Sequence, residues 1–190
     1  MVLPRHELGR EIRCLMRSLR LATLSTGLAT AGGWPYGSMV TVAIDQGAHP
    51  LLLMSGLSDH TRNLAEDSRA SLLFLQPTRH RNPQRGSRVT VMGNIRKTHK
   101  SAHAARFLTM HPEAQMYAGF GDFDFYRMSV ERAHWVGGFA QAQWLDGKYV
   151  TLMKTAVRTI SKTEPGVIDH MNIDHVDTVD LYARKLLGRR

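Results

Sequence analysis

The chain has 190 residues, of which 43% are hydrophobic, and it carries a formal net charge of +9 at pH 7. This composition excludes an intrinsically disordered chain and leaves room for one sizeable domain with a small appendage. The positive charge suits an anionic ligand or a nucleic acid, and it equally suits a merely soluble surface.

The cysteine count and the hydropathy pattern predict a compartment. Cys14 is the only cysteine, so no disulfide forms within the chain, and a reducing compartment is expected. The first residues lack the apolar core of a signal peptide, and no stretch approaches the ~20 apolar residues of a membrane span. Together these features predict a soluble, cytoplasmic protein that does not bind membranes.

The N-terminal half predicts one helix followed by short strands. An amphipathic helix is indicated by apolar residues that recur on one face, at Leu8, Ile12, Leu15, Met16 and Leu19. The period then changes to two, which predicts strands at residues 21–26, 39–44 and 51–57 with turn-rich segments between them. A short helix at 61–67 and a buried strand at 70–75 follow.

The C-terminal half continues the pattern as far as residue 145. An exposed loop is predicted at 76–87, strands at 88–98, 125–136 and 139–145, and a helix at 101–109. Six or seven short strands with interspersed helices predict an α+β fold built on a β-barrel. We expect a barrel domain at 1–150, then a connector or short strand pair at 148–164, and a helix that Pro165-Gly166 opens and Gly188 ends.

A candidate phosphate site lies where the third strand gives way to a helix. The apolar run at 51–54 stops at Ser55, and Thr61-Arg62-Asn63 stands at the expected helix start. Two hydroxyls, the free N–H groups of a helix N-terminus and the planar fork of an arginine suit phosphate oxygens. The alternative is an ordinary strand–loop–helix with Thr61 or Asp59 as the N-cap.

Several blocks of sequence resemble a known family. GSMVTVAID at 37–45, LMS at 53–55 with TRNL at 61–64, and RVTVMG at 88–93 are similar to the FMN-binding split barrels related to pyridoxamine-5'-phosphate oxidase. HP at 111–112, DFDFYR at 122–127, AHWVGGF at 133–139 and HMNIDH at 170–175 resemble its haem-iron-utilisation (HugZ-like) branch more closely.

The resemblance implies an FMN-binding split β-barrel with flanking helices, in which residues 151–190 form a truncated version of the C-terminal helical domain of the haem-utilisation branch. It also implies a homodimer with FMN at the subunit interface and an FMN-dependent oxidoreductase acting on a small molecule. The implied cofactor-binding residues are Ser38, Met39, Val40, Thr41, Val42, Ser55, Thr61, Arg62, Asn63 and Arg88. Asn63 stands where many family members carry a phosphate-binding lysine. No catalytic side chain is implied.

Each implied residue has a plainer interpretation beside it. Residues 38–42 also suit a core strand, and Arg88 also suits a surface arginine. A lone histidine beside aromatic residues, such as His111 or His134, is more often packed than catalytic.

Other ligands are weighed against FMN. The main alternative is haem, bound for degradation or for sensing, although the resemblance carries over no axial ligand to this chain. A regulatory barrel without a cofactor is a third, weaker possibility. His170, Asp174 and Asp177 share a predicted helix face but make a weak metal set, so no metal site is predicted. The arginine-rich loop at 79–88 lacks interleaved aromatics, and nucleic acid is not an expected partner.

Overall fold

The computed structural model describes residues 3–138 and 141–187. The chain divides into two compact units, Met1–Leu152 and Met153–Arg190. The first unit holds the whole sheet, and the second is helical.

The first unit combines eight strands with four α-helices and three short 3₁₀ helices among its described residues. The strands are β1 (Leu21–Leu28), β2 (Trp34–Thr41), β3 (Ala43–Ile44), β4 (Pro50–Ser55), β5 (Arg69–Leu75), β6 (Arg88–Lys97), β7 (Phe123–Gly138) and β8 (Gln141–Asp146). The α-helices are α1 (Arg5–Ser18), α2 (Asp59–Glu66), α3 (Ser101–Met110) and α4 (Gly147–Val150). The second unit contains α5 (Lys154–Asp174) and α6 (Val176–Leu187).

The sheet is antiparallel and curls into a barrel. Its strand order is β2-β1-β5-β6-β7-β4-β3, and β8 pairs with the second half of β7. The outermost strands of this order, β2 and β3, are separated in sequence only by Val42. Because one residue cannot span an open sheet, the sheet must curve until its two ends approach each other. The α+β class and the barrel predicted from the sequence are therefore confirmed.

Two apolar clusters lie on opposite sides of β4. Leu52 and Met54 join the main core inside the barrel, together with the apolar face of α1. Leu51 and Leu53 join a smaller cluster with Phe107 of α3. Successive residues of a strand point to opposite faces, so a strand covered on both sides needs apolar residues throughout. This explains the uninterrupted apolar run at residues 51–54.

A β-bulge bends the sheet between β6 and β7. The pairing shifts between Met92, opposite Arg132, and Gly93, opposite Val130. A Cβ added to Gly93 would collide with the carbonyl of Ser129, so the strands approach more closely here than a side chain allows. The bulge lets β7 pair with β4 at its start and with β8 at its end.

The predictions for the C-terminal region need correction. Residues 148–164 were expected to be a connector or a strand pair, but most of them lie in α4 and α5, and only 151–153 connect the two helices. Threonines in this stretch donate to carbonyls four residues earlier, as Thr159 does to Thr155, so its polar residues are compatible with a helix. Pro165 lies inside α5 instead of opening a helix.

The single helix expected after Pro165 is in fact interrupted. α5 ends at Asp174, and α6 begins at Val176, with His175 between them. Asp177 therefore does not share one continuous helix face with His170 and Asp174. The expected end at Gly188 and the first part of the strand expected at 139–145 lie outside the described residues.

Candidate functional site

The predicted phosphate site is built by the end of β4 and the start of α2. Ser55 is the last residue of β4, and three residues separate it from Asp59, the first residue of α2. The Ser55 hydroxyl donates to the carboxylate of Asp122 over 2.5 Å and accepts from the backbone N–H of Leu57 over 3.1 Å. It is therefore already paired with an anionic group of the protein.

Arg62 lies on the exposed side of α2. Its guanidinium donates to the carbonyl of Leu57 and lies 3.5 Å from the carboxylate of Asp59. The side chain is 60% exposed, so it has room to reorient. An incoming phosphate would have to compete with the carboxylates of Asp59 and Asp122 for Arg62 and Ser55.

Asn63 is buried, and it ties α2 to β1 and the short turn after it. Its side-chain amide donates to the Thr26 hydroxyl over 2.9 Å, and its side-chain oxygen accepts from the N–H of Ala29 over 3.0 Å. The residue is 2% exposed. A lysine here would place an unpaired charge in the interior, which is costly.

Thr61 presents the opposite situation. It is 8% exposed, and its hydroxyl is buried without a hydrogen-bond partner among the described residues. Buried hydroxyls are normally paired, so this one is an exception at the predicted phosphate site.

His60 is a neighbour that sequence reasoning did not single out. Its Nδ1 lies 3.3 Å from the hydroxyl of Ser38, which joins α2 to β2. Burial lowers the pKa of His60, so the neutral ring is favoured. In the sequence, the only feature that pointed to His60 as a site residue was its place between Asp59 and Thr61 in the motif.

The remaining predicted residues divide between two faces of the sheet. Val40 and Val42 are buried and belong to the main core. Met39 and Thr41 pair with Thr23 and Leu21 of β1, on the opposite face. That face, which points away from the core, is here called the outer face. Its residues include Leu21, Thr23, Met39, Thr41, Leu73, Leu75, Arg88, Thr90, Met92, Arg132, His134, Val136 and Trp144.

One row of cross-strand neighbours crosses the outer face from β2 to β8. Each member is paired directly with the next, in the order Met39, Thr23, Leu73, Thr90, His134 and Trp144. Directly opposed residues of an antiparallel pair lie on the same face with their side chains close together. The row therefore joins an exposed methionine to an exposed tryptophan through small, aliphatic and imidazole groups.

His134 and Trp144 form the most chemically distinctive part of this row. Their rings stack with centroids 4.6 Å apart and planes inclined by 28°. The guanidinium of Arg132 lies 5.2 Å from the centre of the Trp144 ring. The sequence predicted strands at 125–136 and 139–145 in this region, but it did not reveal which face of them would be exposed.

His111 belongs to the fold. It is 2% exposed, and its Nε2 lies 2.9 Å from the carbonyl of Val42, while its ring lies beside Phe107. The packed interpretation of His111 fits these contacts.

A separate polar cluster surrounds Asp45. The carboxylate accepts from Arg127 Nε and from the N–H of His49, each over 2.8 Å, and His103 Nε2 lies 4.0 Å away. Burial is the main cause that lowers the pKa of both histidines, and the nearby Arg127 lowers them further. The folded protein therefore favours the neutral form of both rings more than the unfolded chain does.

The family follows from comparison with known sequences. A sequence model described as "CREG, beta-barrel" matches residues 4–151. The chain belongs to the CREG β-barrel family. The match covers the whole curled sheet and the helices that flank it.

Two relatives of this CREG-type barrel have names that mention haem. The curated protein "Non-canonical heme oxygenase HOZ, chloroplastic" of Arabidopsis thaliana is 31% identical over 170 residues, covering 87% of this chain and 52% of that protein. The solved heme binding protein from Mycobacterium smegmatis is 30% identical with a TM-score of 0.70, covering 79% of this chain and 61% of that one. The CREG-type chain thus spans about half the length of the curated relative.

The split-barrel fold has support from a more distant structure. A protein related to general stress protein 26, of the pyridoxinephosphate oxidase family, from Clostridium acetobutylicum is 14% identical with a TM-score of 0.60. It covers 76% of this chain and 98% of that chain. At this identity the likeness shows the fold alone. The resemblance to the pyridoxamine-phosphate-oxidase-like split barrels and their HugZ-like branch is confirmed.

None of the helices among the described residues combines the length and the apolar character that a membrane-spanning helix requires.

Proposed function

We propose that this chain binds haem. One observation carries the proposal: a protein named as a heme oxygenase and another named as a heme binding protein are each about 30% identical to most of the chain. This moves haem from the alternative to the leading candidate.

The surface chemistry supports an anionic, planar, apolar ligand. The outer face offers aliphatic and aromatic side chains, and Arg88 and Arg132 lie on the same face. Haem has a flat apolar ring, an iron that accepts imidazole, and two propionates that arginine can pair. The net charge of +9 favours the approach of such a dianion.

A haemin titration tests the proposal. The full chain, purified without added cofactor, should give a saturable change in the Soret band with one equivalent per chain or per dimer. Metal-free protoporphyrin serves as the matched control, because it has the same ring and propionates without iron. A linear, unsaturated increase in absorbance would refute haem binding.

Haem turnover is a further proposal within the same class. Its support is the name of the Arabidopsis relative alone, of which this chain spans about half. If the chain degrades haem, the Soret band of the haem complex should decay when an electron donor and oxygen are both present. Decay that catalase abolishes would indicate attack by free peroxide instead of enzymatic turnover.

FMN is the second candidate ligand and would make the chain an oxidoreductase. Its support is the fold shared with the pyridoxinephosphate oxidase family and the hydroxyls and arginine near the start of α2. A bound flavin would supply hydride or electron transfer, while Ser55, Thr61 and Arg62 would hold its phosphate. In the described conformation Ser55 and Arg62 are engaged by carboxylates, so binding requires local rearrangement. Quenching of flavin fluorescence measures this affinity in the same protein sample.

A further inference from the structure

We propose that His134 is the axial ligand of the haem iron and that the outer face around it receives the porphyrin. This inference rests on the proposed haem binding and adds the position and orientation of the ligand. It selects one of the ten histidines in the chain.

His134 is placed for a planar ligand by the pairing of β7 with its neighbours. It stands between Thr90 of β6 and Trp144 of β8 on the outer face, and its own chain neighbours Ala133 and Trp135 point into the core. The ring is half-buried, and the buried flanking residues fix its backbone. The imidazole therefore projects from a rigid sheet instead of from a mobile loop, as a metal ligand should.

The imidazole nitrogens of His134 are free to coordinate a metal ion. Among the described residues, neither nitrogen is hydrogen-bonded to the protein. Iron coordination requires a free lone pair on the neutral ring, which such an imidazole can supply.

Most other histidines are engaged elsewhere. His49, His60 and His111 make hydrogen bonds within the barrel. His103 bonds Thr98 at 2.8 Å, and His170 bonds Asp174 at 2.6 Å. These bonds use Nδ1 in His49, His60, His103 and His170, and both ring nitrogens are in contact with polar atoms in His111. A bond at one nitrogen leaves the other able to bind iron. What distinguishes His134 is its place on the outer face beside Leu73, Met92 and Trp144.

The neighbours of His134 suit the rest of the porphyrin. The exposed ring of Trp144 and the half-buried side chains of Leu73 and Met92 give apolar contact on the outer face. Arg132 lies one row away along β7 and extends over Trp144, where its cation can pair with a propionate. The outer face thus offers His134 to the iron, apolar side chains to the porphyrin ring and Arg132 to a propionate.

His99 is the best matched control. It is exposed, and it lies in the loop before α3, beside a small cleft lined by Phe123 and Phe125. Unlike His134, it does not lie on the outer face of the sheet. A second comparison is the double variant His170→Ala/His175→Ala, which removes the two histidines of the HMNIDH motif.

The experiment is a haemin titration of the full-length wild type, His134→Ala, His134→Gln, His99→Ala and the C-terminal double variant. We expect the wild type, His99→Ala and the double variant to share one histidine-ligated spectrum. Both His134 variants should lose it, and added imidazole should restore it in His134→Ala by filling the vacated position. Far-ultraviolet circular dichroism checks that each variant is folded, and His134→Gln keeps a long polar side chain in the strand.

The outcomes separate the two proposals. A wild type that does not bind haemin overturns haem binding and the ligand assignment with it. A wild type that binds, with an unchanged spectrum in both His134 variants, overturns the assignment and leaves haem binding intact. Loss of the spectrum in His99→Ala or in the double variant, with His134→Ala unchanged, overturns the assignment and places the ligand at those histidines.

Discussion

At the residue scale, the motif at residues 55–64 contains groups with unlike roles. Asn63 is fully hydrogen-bonded inside the protein, whereas the buried hydroxyl of Thr61 has no partner among the described residues. Arg62, between them in sequence, is largely exposed. Sequence identified the motif, but one helical turn sends adjacent residues in different directions, so only the fold shows which of them can reach a ligand.

Replacing Asn63 with alanine should destabilise the fold. The change leaves the Thr26 hydroxyl and the N–H of Ala29 without their partner, at about 1 to 3 kcal/mol for each buried group that stays unsatisfied. Urea denaturation should show the loss as a lower midpoint with an unchanged slope. Thr61→Val is the matched comparison at a buried position two residues earlier. It should be neutral or slightly stabilising, because the Thr61 hydroxyl makes no hydrogen bond that the change could remove. Equal stability of Asn63→Ala and the wild type would contradict the structural role of Asn63.

Arg62→Ala tests the flavin proposal. If Arg62 pairs with the FMN phosphate, the variant loses charge-assisted hydrogen bonds worth about 1.5 to 3 kcal/mol, which weakens FMN about ten- to a hundred-and-fifty-fold. Riboflavin has the same ring without phosphate, so its weaker binding should hardly change. Arg85→Ala, in the exposed loop before β6, is the control and should alter neither affinity. Fluorescence titration decides, and an unchanged FMN affinity in the Arg62 variant excludes this phosphate contact.

At the element scale, the bulge between β6 and β7 decides how the barrel is completed. It requires Gly93 to approach the carbonyl of Ser129 more closely than a Cβ permits. The sequence shows a strand at 88–98 with a glycine inside it, and an internal glycine suggests a bulge without naming its partner. The residue that Gly93 approaches is Ser129, 36 positions later in the chain. A local sequence pattern cannot identify a contact at that distance.

Gly93→Ala should therefore destabilise the protein. Room for the methyl group can come only from moving β7 away from β6, and overpacking of this kind costs about 1 to 3 kcal/mol. Thermal unfolding measures the effect. Gly119→Ala is the control, because a Cβ there meets no atom within 4 Å. Similar melting temperatures for the two variants would contradict the close approach of the strands.

The helices of the second unit show where local reasoning failed. Residues 154–174 carry threonines and a proline, both of which lower helix propensity, yet they form α5. A proline lacks one hydrogen bond and does not forbid a helix whose remaining bonds are made. The sequence predicted that a helix begins at Pro165, whereas Pro165 lies inside α5 and the break between helices lies at His175.

At the scale of the whole molecule, the Asp45 cluster links stability to pH. His49 and His103 lie against Asp45 and Arg127, and burial is the main cause of the lowered pKa of each ring. In the unfolded chain both rings return to a pKa near 6.5. The unfolded state therefore takes up protons at a higher pH than the folded state does.

The free energy of unfolding should fall as the pH drops through about 6.5 toward the lower folded-state values. Above that range the contribution of these histidines is fully present. Urea denaturation between about pH 8 and pH 5 measures it. His49→Gln, which cannot take up a proton, should flatten the dependence relative to the wild type. A wild type whose stability rises on acidification over this interval would contradict the assignment.

The oligomeric state is the second property of the whole molecule to be tested. We propose a homodimer, because the outer face leaves large apolar side chains exposed, among them Met39 at 75% and Leu21 at 49%. Light scattering in physiological salt should give twice the chain mass of 21.4 kDa. Met39→Glu should shift the population toward the monomer, whereas Met116→Glu, at an exposed methionine outside the sheet, should not. A monomer mass for the wild type would refute the dimer.

The sequence by itself determined the fold class and most of the local elements of the first unit. Apolar residues that recur about every 3.6 positions indicate a helix, and apolar residues that recur every second position indicate a strand. The apolar run at 51–54 is the strand that is buried on both faces. The same local patterns, with the quoted motifs, were enough to place the chain among the split barrels. Nothing in these patterns required knowledge of distant partners.

Only the tertiary structure decided which residues share a surface. Met39, Thr90, His134 and Trp144 are far apart in sequence and become one row because strand pairing sets their register. Register depends on the curl of the sheet and on the bulge at Gly93, which are non-local properties. The tertiary structure also shows that Asn63 ties α2 to β1, because burial and hydrogen bonding depend on the elements that pack around a side chain.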